Sequence, residues 1–316
     1  MLTEPALVAD LGATNARFAL LDGGQVTAIE ILRVADYPSL ASAMGAYLDL
    51  VNPPRPPRLS AVAIASPIVG DFVEMTNHAW SFSISELKEQ LAFDRLEVIN
   101  DFTAVALAVP HLGPADLTKI GGGTAVPNAP IGIIGPGTGL GVSGLIHGRD
   151  HWHPLAGEGG HVTMSAVTPR ESQVLDLLRV RFPHVSAERV LSGMGLVNLY
   201  ETLAALDGED PPSRAPREVS AAAFGEGDDH CVEAVAMFGA MLGTVAGNLA
   251  LTLGSLGGVY IAGGIAPKLG HLFLDSEFRE RFEAKGRFRD YLEGIPTYLI
   301  THPTPAFYGL KYVLEW

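Results

Sequence analysis

The 316-residue sequence contains a single cysteine, Cys231, which excludes an internal disulfide framework and any cysteine-cluster zinc site. A reducing cytoplasm suits such a chain and is the expected location. Positive charge is also scarce. Lys and Arg total 21 against 35 Asp and Glu, a formal net charge of −14. That balance repels phosphate backbones and anionic membranes, so neither a nucleic-acid partner nor a membrane is expected. A phosphate-bearing ligand would have to be held by local backbone amides and a metal ion, not by a basic surface. The opening MLTEPALVAD lacks the basic stretch of a secretory signal and carries Glu4 and Pro5. Disorder is excluded too, since hydrophobic residues make up 47% of the chain. Mean hydropathy is +0.24.

The length suffices for two domains of ordinary size, ~100–200 residues each. One charge-free run, Met237 to Pro267, is long enough to span a bilayer, and Gly239, Gly243 and Gly247 follow small-xxx-small spacing. Gly254, Gly257 and Gly258 interrupt it, however, and divide it into a helix, a turn and the strand VYIAGG. The expectation is a soluble chain with a core helix whose small face lies against a sheet.

Two segments read as strand, tight turn, strand: ALVADLGATNARFALLDGG near the start and APIGIIGPGTGLGVSGLIHG further on. Asp10-x-Gly12 in the first aligns with Gly135-x-Gly137 in the second, a sign of two similar α/β halves facing one cleft. Between them come helical spacing over 37–50, an extended NPPRPPR loop and a buried strand LSAVAIAS. A helix over 86–92 is expected to start at Ser85. DGEDPPSRAPRE (207–218) reads as a surface loop. The expected division is a small domain over 1–110, to which 302–316 returns, and a large domain over 111–301.

GPGTGLG is no Walker loop, because no Gly-Lys-Ser/Thr follows. GLGVSG matches G-x-G-x-x-G, but a strand follows where the dinucleotide fingerprint needs a helix. The remaining readings are an ordinary glycine hairpin or an anion nest of bare N–H groups. Asp10 is either a turn-former or a carboxylate sharing Mg²⁺ with a phosphate, partly through water. Gly263-Gly264, closing YIAGG, is either a plain strand-to-helix turn or a surface on which a flat adenine ring can lie.

LEVINDFTAVALAVP presents a strand, then Asn100-Asp101, then a helix ended by Pro110. The pair caps the helix, or the strand delivers a carboxylate into a cleft at its C-terminal end. In LAGEGGHV, glycines flank Glu158 and His161, which fits a ligand approaching the main chain. His151 and His153 lie just upstream, but no helix fixes a metal-binding geometry for this set. Glu188 belongs to the first turn of a short helix capped by Ser186, where a dipole role is available. Amide, carboxylates and imidazole with few cations suit the hydroxyls of a neutral polyol.

In these motifs, together with ASPIVGD, MTNHAWSFS and SAERVLSGMGLVNLY, the chain resembles the bacterial glucokinase family of the hexokinase/actin-like ATPase superfold nearly end to end. The resemblance implies an α/β fold of two actin-like (ribonuclease H-like) domains flanking a nucleotide and sugar cleft. It implies ATP-dependent phosphorylation of D-glucose, with ATP and Mg²⁺ as cofactors and glucose and ATP as partners. Nucleotide contacts are implied for Ala9, Asp10, Leu11, Gly12, Ala13, Thr14 and Asn15, for Gly137, Thr138 and Gly139, and for Gly263 and Gly264. Asp10 would meet Mg²⁺ through water. Glucose contacts are implied for Asn100, Asp101, Glu158, His161 and Glu188, with Asp101 the catalytic base. Ala9 and Ala13 stand where relatives often carry glycine, and their methyls are expected to trim nucleotide affinity. A kinase for mannose or fructose is the nearest alternative, then an actin-like ATPase acting without sugar. A homodimer is compatible with the sequence, which does not fix oligomeric state.

Overall fold

β1 (Ala6–Leu11) and β2 (Asn15–Asp22) form an antiparallel hairpin, and β3 (Gln25–Arg33) pairs with β2 across the Gly23-Gly24 turn. Both glycines have positive φ, 55° and 79°, which side chains resist. β3 is an edge strand absent from the expectations above. Its mostly exposed pattern gives no buried alternation to read. The computed structural model describes residues 4–75, 80–225 and 227–316. Residues 76–79 of MTNHAWSFS therefore lie outside the described residues.

Helix α1 (Leu40–Val51) starts at Ser39, whose hydroxyl accepts the Ser42 amide, and leads through the proline loop to β4 (Leu59–Ile64). β5 (Phe72–Glu74) and β6 (Ser81–Ser83) form a small ribbon before α2 (Ile84–Gln90). The cap of α2 is Ser83, not Ser85. Ser83 Oγ accepts the Glu86 amide, while Ser85 bonds to the Asp71 carboxylate. β7 (Arg95–Asn100) then runs directly into α3 (Asp101–Ala108).

The first sheet has the order β3-β2-β1-β4-β7, with β1, β4 and β7 parallel. Period-2 alternation sends Leu7, Ala9 and Leu11 into a core with α1 on one face. Ala6 and Val8 face the other side, toward α3.

In the second unit β8 (Leu117–Ile120) precedes the hairpin of β9 (Ile131–Pro136) and β10 (Leu140–His147), and β11 (Trp152–Leu155) pairs with β10. Next come α4 (Pro169–Arg181), α5 (Gly193–Leu206), α6 (Pro216–Ala222) and α7 (Asp229–Leu253). β12 (Val259–Ile261), α8 (Ile265–Leu269), α9 (His271–Leu274), α10 (Phe278–Glu283), α11 (Arg289–Glu293) and β13 (Thr297–Ile300) complete it. The segment expected as a loop over 207–218 thus contains the start of α6 at Pro216.

The second sheet runs β11-β10-β9-β12-β13-β8, with β9, β12 and β13 parallel. Hairpin, third strand and two parallel strands repeat the order of the first sheet. The hairpin turns Gly12–Thr14 and Gly137–Gly139 occupy equivalent places, in the alignment that the sequence suggested.

α7 is the one described helix long and apolar enough to cross a membrane, and 78% of its most apolar stretch is buried inside the fold. Its glycine face does not lie against a sheet as expected. A Cβ on Gly243 would meet the Phe278 carbonyl oxygen at 2.1 Å, and one on Gly247 the Phe282 carbonyl at 2.5 Å. The small residues let α10 approach backbone to backbone. The sheet instead receives Leu249 and Leu253, which lie against Gly132 and Gly144.

Beyond β13, α12 (Ala306–Leu314) packs on α3, β4 and β1, burying Phe307, Leu310 and Leu314 with Ala6, Val8 and Ala104. The chain therefore divides into one unit of Met1–Leu112 plus His302–Trp316 and another of Gly113–Thr301.

Candidate functional site

The C-terminal ends of three parallel strands align in the first unit. Leu11 stands level with Ile64, and Ile64 with Asn100. Asp10 is one residue short of that line and, by alternation from Ala6 and Val8, shares the α3 face. Asp101 opens α3 on the same face. Strand spacing of ~4.8 Å puts β1 and β7, two strands apart, at ~10 Å.

Asn100 is the helix cap. Its Oδ1 accepts the Phe102 amide at 2.9 Å and the Thr103 amide at 3.1 Å. Its Nδ2 reaches the Ser66 carbonyl at a long 3.5 Å. The capping reading of this pair holds for Asn100. Asn100 caps, and the cap leaves the Asp101 carboxylate standing at the strand end. Asp101 Oδ1 also takes the Phe102 amide, at 2.8 Å.

Burial raises the Asp101 pKa above the usual carboxylate range, and the neighbouring Asp10 charge adds to the rise. Bonds from the Phe102 amide and the Asn100 side chain oppose it without reversing it. Burial also raises Asp10, against the pull of Arg17, whose Nη1 donates to Asp10 Oδ2 at 3.1 Å. Two half-buried acids with raised pKa at the C-terminal end of one sheet mark the candidate functional cluster of this unit.

The turn beside Asp10 is closed by the Gly12 amide donating to the Asn15 carbonyl at 3.0 Å. Ala13, Thr14 and Asn15 are exposed. Ala9 and Leu11 are wholly buried and paired with strands on both sides. They set the turn's position and offer no side chain to a ligand. The Ala9 methyl lies inside the core, so the expected cost to nucleotide affinity narrows to Ala13, the exposed alanine.

In the second unit the Gly137 amide donates to the Gly139 carbonyl at 2.8 Å, and the Gly137 carbonyl accepts the Gly193 amide at 2.9 Å. That second bond ties the turn to the start of α5, capped by Ser192. Sequence reasoning missed Ser192 and Gly193, although Ser-Gly-x-Gly ahead of an apolar run is a helix-start signal. Gly263, with φ +80°, abuts the same hairpin: a Cβ there would sit 2.2 Å from the Pro136 carbonyl oxygen. The Lys268 ammonium stands 3.9 Å from where a Cβ on Gly264 would be, a cation at this turn also missed from the sequence.

Glu158 and His161 bracket a single turn of 3-10 helix, closed by the His161 amide donating to the Glu158 carbonyl at 3.0 Å, and both are exposed. The turn lies flush on the hairpin, since a Cβ on Gly160 would meet the Leu140 carbonyl oxygen at 2.0 Å. Glu188 belongs to a 3-10 turn, Ala187–Arg189, for which Ser186 supplies no side-chain cap, contrary to expectation. Its carboxylate is spent differently: Oε2 accepts the Leu140 amide at 2.9 Å. The hairpin, Gly263, Glu158, His161 and Glu188 thus converge in one unit. His151 and His153 belong to no metal cluster; among the described residues no group of three or more His, Cys, Asp or Glu is placed to hold an ion.

The family described as Glucokinase matches residues 7–315 of the chain. The glucokinase of Paramagnetospirillum magneticum is 53% identical over 312 residues, covering 98% of this chain and 97% of that protein. The glucokinase of Aromatoleum aromaticum is 49% identical over 315 residues, covering 99% and 95%. The crystal structure of a glucokinase from an Antarctic psychrotroph superposes with a TM-score of 0.91 at 37% identity, covering 99% of each chain. The repeated sheet order accordingly belongs to the actin-like α/β fold.

Proposed function

Because the chain belongs to the glucokinase family, we propose that it transfers the γ-phosphoryl group of ATP to the 6-hydroxyl of D-glucose, with Asp101 as general base. The chain is an ATP:D-glucose 6-phosphotransferase, and its reaction opens glycolysis. The observation that carries the role of Asp101 is its position: first residue of α3, beyond a capping Asn100, on the face it shares with Asp10.

Phosphoryl transfer is largely positioning and charge neutralisation. Asp101 accepts the proton of the 6-hydroxyl as that oxygen bonds to the γ-phosphorus and the bond to the bridging oxygen breaks, releasing ADP. A carboxyl with a raised pKa holds that proton better than an ordinary one, which suits a base working near neutral pH. Asn100 contributes its amide N–H groups, since its oxygen is committed to the cap. Glu158, His161 and Glu188 take the remaining hydroxyls. Polar groups matched to each hydroxyl discriminate by ~10⁴ against a sugar that leaves one unpaired.

The turns Gly12–Asn15 and Gly137–Gly139 meet the phosphates, and Gly263-Gly264 borders the adenosine. The amides of Gly12 and Gly137 close the turns, and those of Ala13, Thr14, Thr138 and Gly139 are left to face the ligand. Bound magnesium would neutralise phosphate charge. A half-buried carboxylate beside an exposed turn fits it, and Asp10 would hold it through water. The protein works in the cytoplasm, alone or as a homodimer.

A coupled ADP-release assay tests this reading. Release should require glucose and fall sharply with mannose or fructose. Release without sugar would favour the actin-like ATPase, and equal rates with the other hexoses the broader kinase.

A further inference from the structure

Glu188 has two oxygens and two neighbours. Oε2 accepts the Leu140 amide at 2.9 Å, at the root of the glycine hairpin. Oε1 takes no hydrogen bond among the described residues and is the oxygen left for a sugar. The carboxylate also presses on Gly139, where a Cβ would stand 2.4 Å from Oε2. On its other side, the turn bearing Glu188 is stitched to the turn bearing Glu158 and His161: the Ala187 amide donates to the Val162 carbonyl at 2.9 Å, and Thr163 bridges Ser186. Leu140 is therefore shared. Its N–H serves Glu188 and its carbonyl oxygen lies under Gly160.

We infer that Glu188 is a positioning residue for the phosphate hairpin as well as a sugar contact, so that glucose and nucleotide bind cooperatively within the second unit. The inference rests on the proposed function, from which the hairpin and Glu188 take their ligands. Its physical content is that one carboxylate cannot shift toward a sugar hydroxyl without moving its bond to Leu140. A sugar that fixes Oε1 fixes Oε2 and with it the turn from Gly137 to Gly139. By linkage the effect is reciprocal: the nucleotide must tighten glucose by the same factor.

The inference predicts that a methyl group in the phosphate turn damages sugar binding. Gly139→Ala places its Cβ on Glu188 Oε2, the far end of a flexible side chain, so the protein should fold with the carboxylate displaced. Gly137→Ala, two residues away, has nothing within 4 Å of its new Cβ. Dissociation constants for glucose alone, and for the non-hydrolysable analogue AMPPNP with and without glucose, would be measured by calorimetry.

Gly139→Ala should weaken glucose by roughly tenfold or more, the scale of a lost charge-assisted hydrogen bond. Gly137→Ala should leave the glucose constant within about twofold, whatever it does to the nucleotide. Glu188→Ala should weaken AMPPNP severalfold even without sugar, because the Leu140 amide loses its acceptor. Glu188→Gln, which keeps an acceptor for that amide, should restore most of this sugar-free affinity.

Wild-type glucose affinity in Gly139→Ala, or wild-type AMPPNP affinity in Glu188→Ala, would overturn the inference and leave Glu188 a sugar contact only. Glucose-dependent ADP release by the wild type decides the proposed function separately, so the two failures are distinguishable.

Discussion

Replacing Asp101 by Asn should stop turnover and make the protein more stable at neutral pH. Asn is nearly isosteric and still offers Oδ1 to the Phe102 amide, so α3 keeps its first turn. What disappears is a proton acceptor and a charge. Loss of a positioned general base lowers kcat by ~10²–10⁴-fold. The charge removed faces Asp10 from ~10 Å, a distance of two strand spacings. Unit charges at that distance repel by about 0.4–1.7 kcal/mol for effective dielectric constants between 80 and 20. Arg17 neutralises part of Asp10, which selects the lower half of this range. A gain of that size corresponds to about 1–4 °C in Tm.

The pH dependence has a definite sign. A carboxyl whose folded-state pKa is raised costs stability when ionised, so the full gain of Asp101→Asn appears above that raised value. As pH falls toward the unfolded value of about 4, the wild type takes up its proton and the two Tm curves merge. Calorimetric scans from pH 4 to 8, without nucleotide or metal, combined with the ADP-release assay, measure both halves. A kcat within threefold of wild type, or a Tm that falls at pH 7, would refute the reasoning.

Three further outcomes are expected. Arg281→Leu strands Glu171, which is 2% exposed and bonded to Arg281 at 2.6 Å, and should cost about 3–5 kcal/mol by chemical denaturation. Burial alone would raise Glu171, but Arg281 and the Val167 amide outweigh it and lower its pKa, so the wild type loses this stability on acidification through that lowered value. A calorimetric acid series that leaves the gap between wild type and Arg281→Leu unchanged would contradict this. Gly309→Ala drives a Cβ to 1.8 Å from the Ala104 carbonyl oxygen, so overpacking should cost about 1–3 kcal/mol. Because α3 begins at Asp101, kcat should drop with it even well below Tm, and an unchanged kcat would separate the two sites. Chelation with EDTA should abolish ADP release and added Mg²⁺ restore it, whereas activity persisting in EDTA would remove Asp10 from its role.

What was legible in the sequence was local. Both glycine hairpins, the strand into Asn100-Asp101 and the breaks after α7 follow from apolar runs punctuated by glycine and proline. The start of α2 was not: Ser83 caps it by accepting the Glu86 amide, while Ser85 already lies inside the helix, and the Asp71 carboxylate that holds both serines comes from a loop twelve or more residues upstream. β3 escaped because its outward residues, including Ile29 and Ile31, show no buried alternation. The glycine stripe of α7 was visible as a close-packing surface, but its partner α10 lies far along the chain. The bond from Leu140 to Glu188 spans 48 residues, and no spacing rule reaches that far.

The placement of α12 has a consequence for the order in which the protein is made. Phe307, Leu310 and Leu314 seal one face of the first sheet, yet the ribosome reaches them only after the whole of Gly113–Thr301. At 5–20 residues per second, roughly 190 intervening residues hold that face open for roughly 10–40 s. During that interval the sheet that carries Asp10 and leads into Asp101 is a nascent chain with a bare apolar side, a natural client for a chaperone, and the base of the reaction is seated only once α12 has been made.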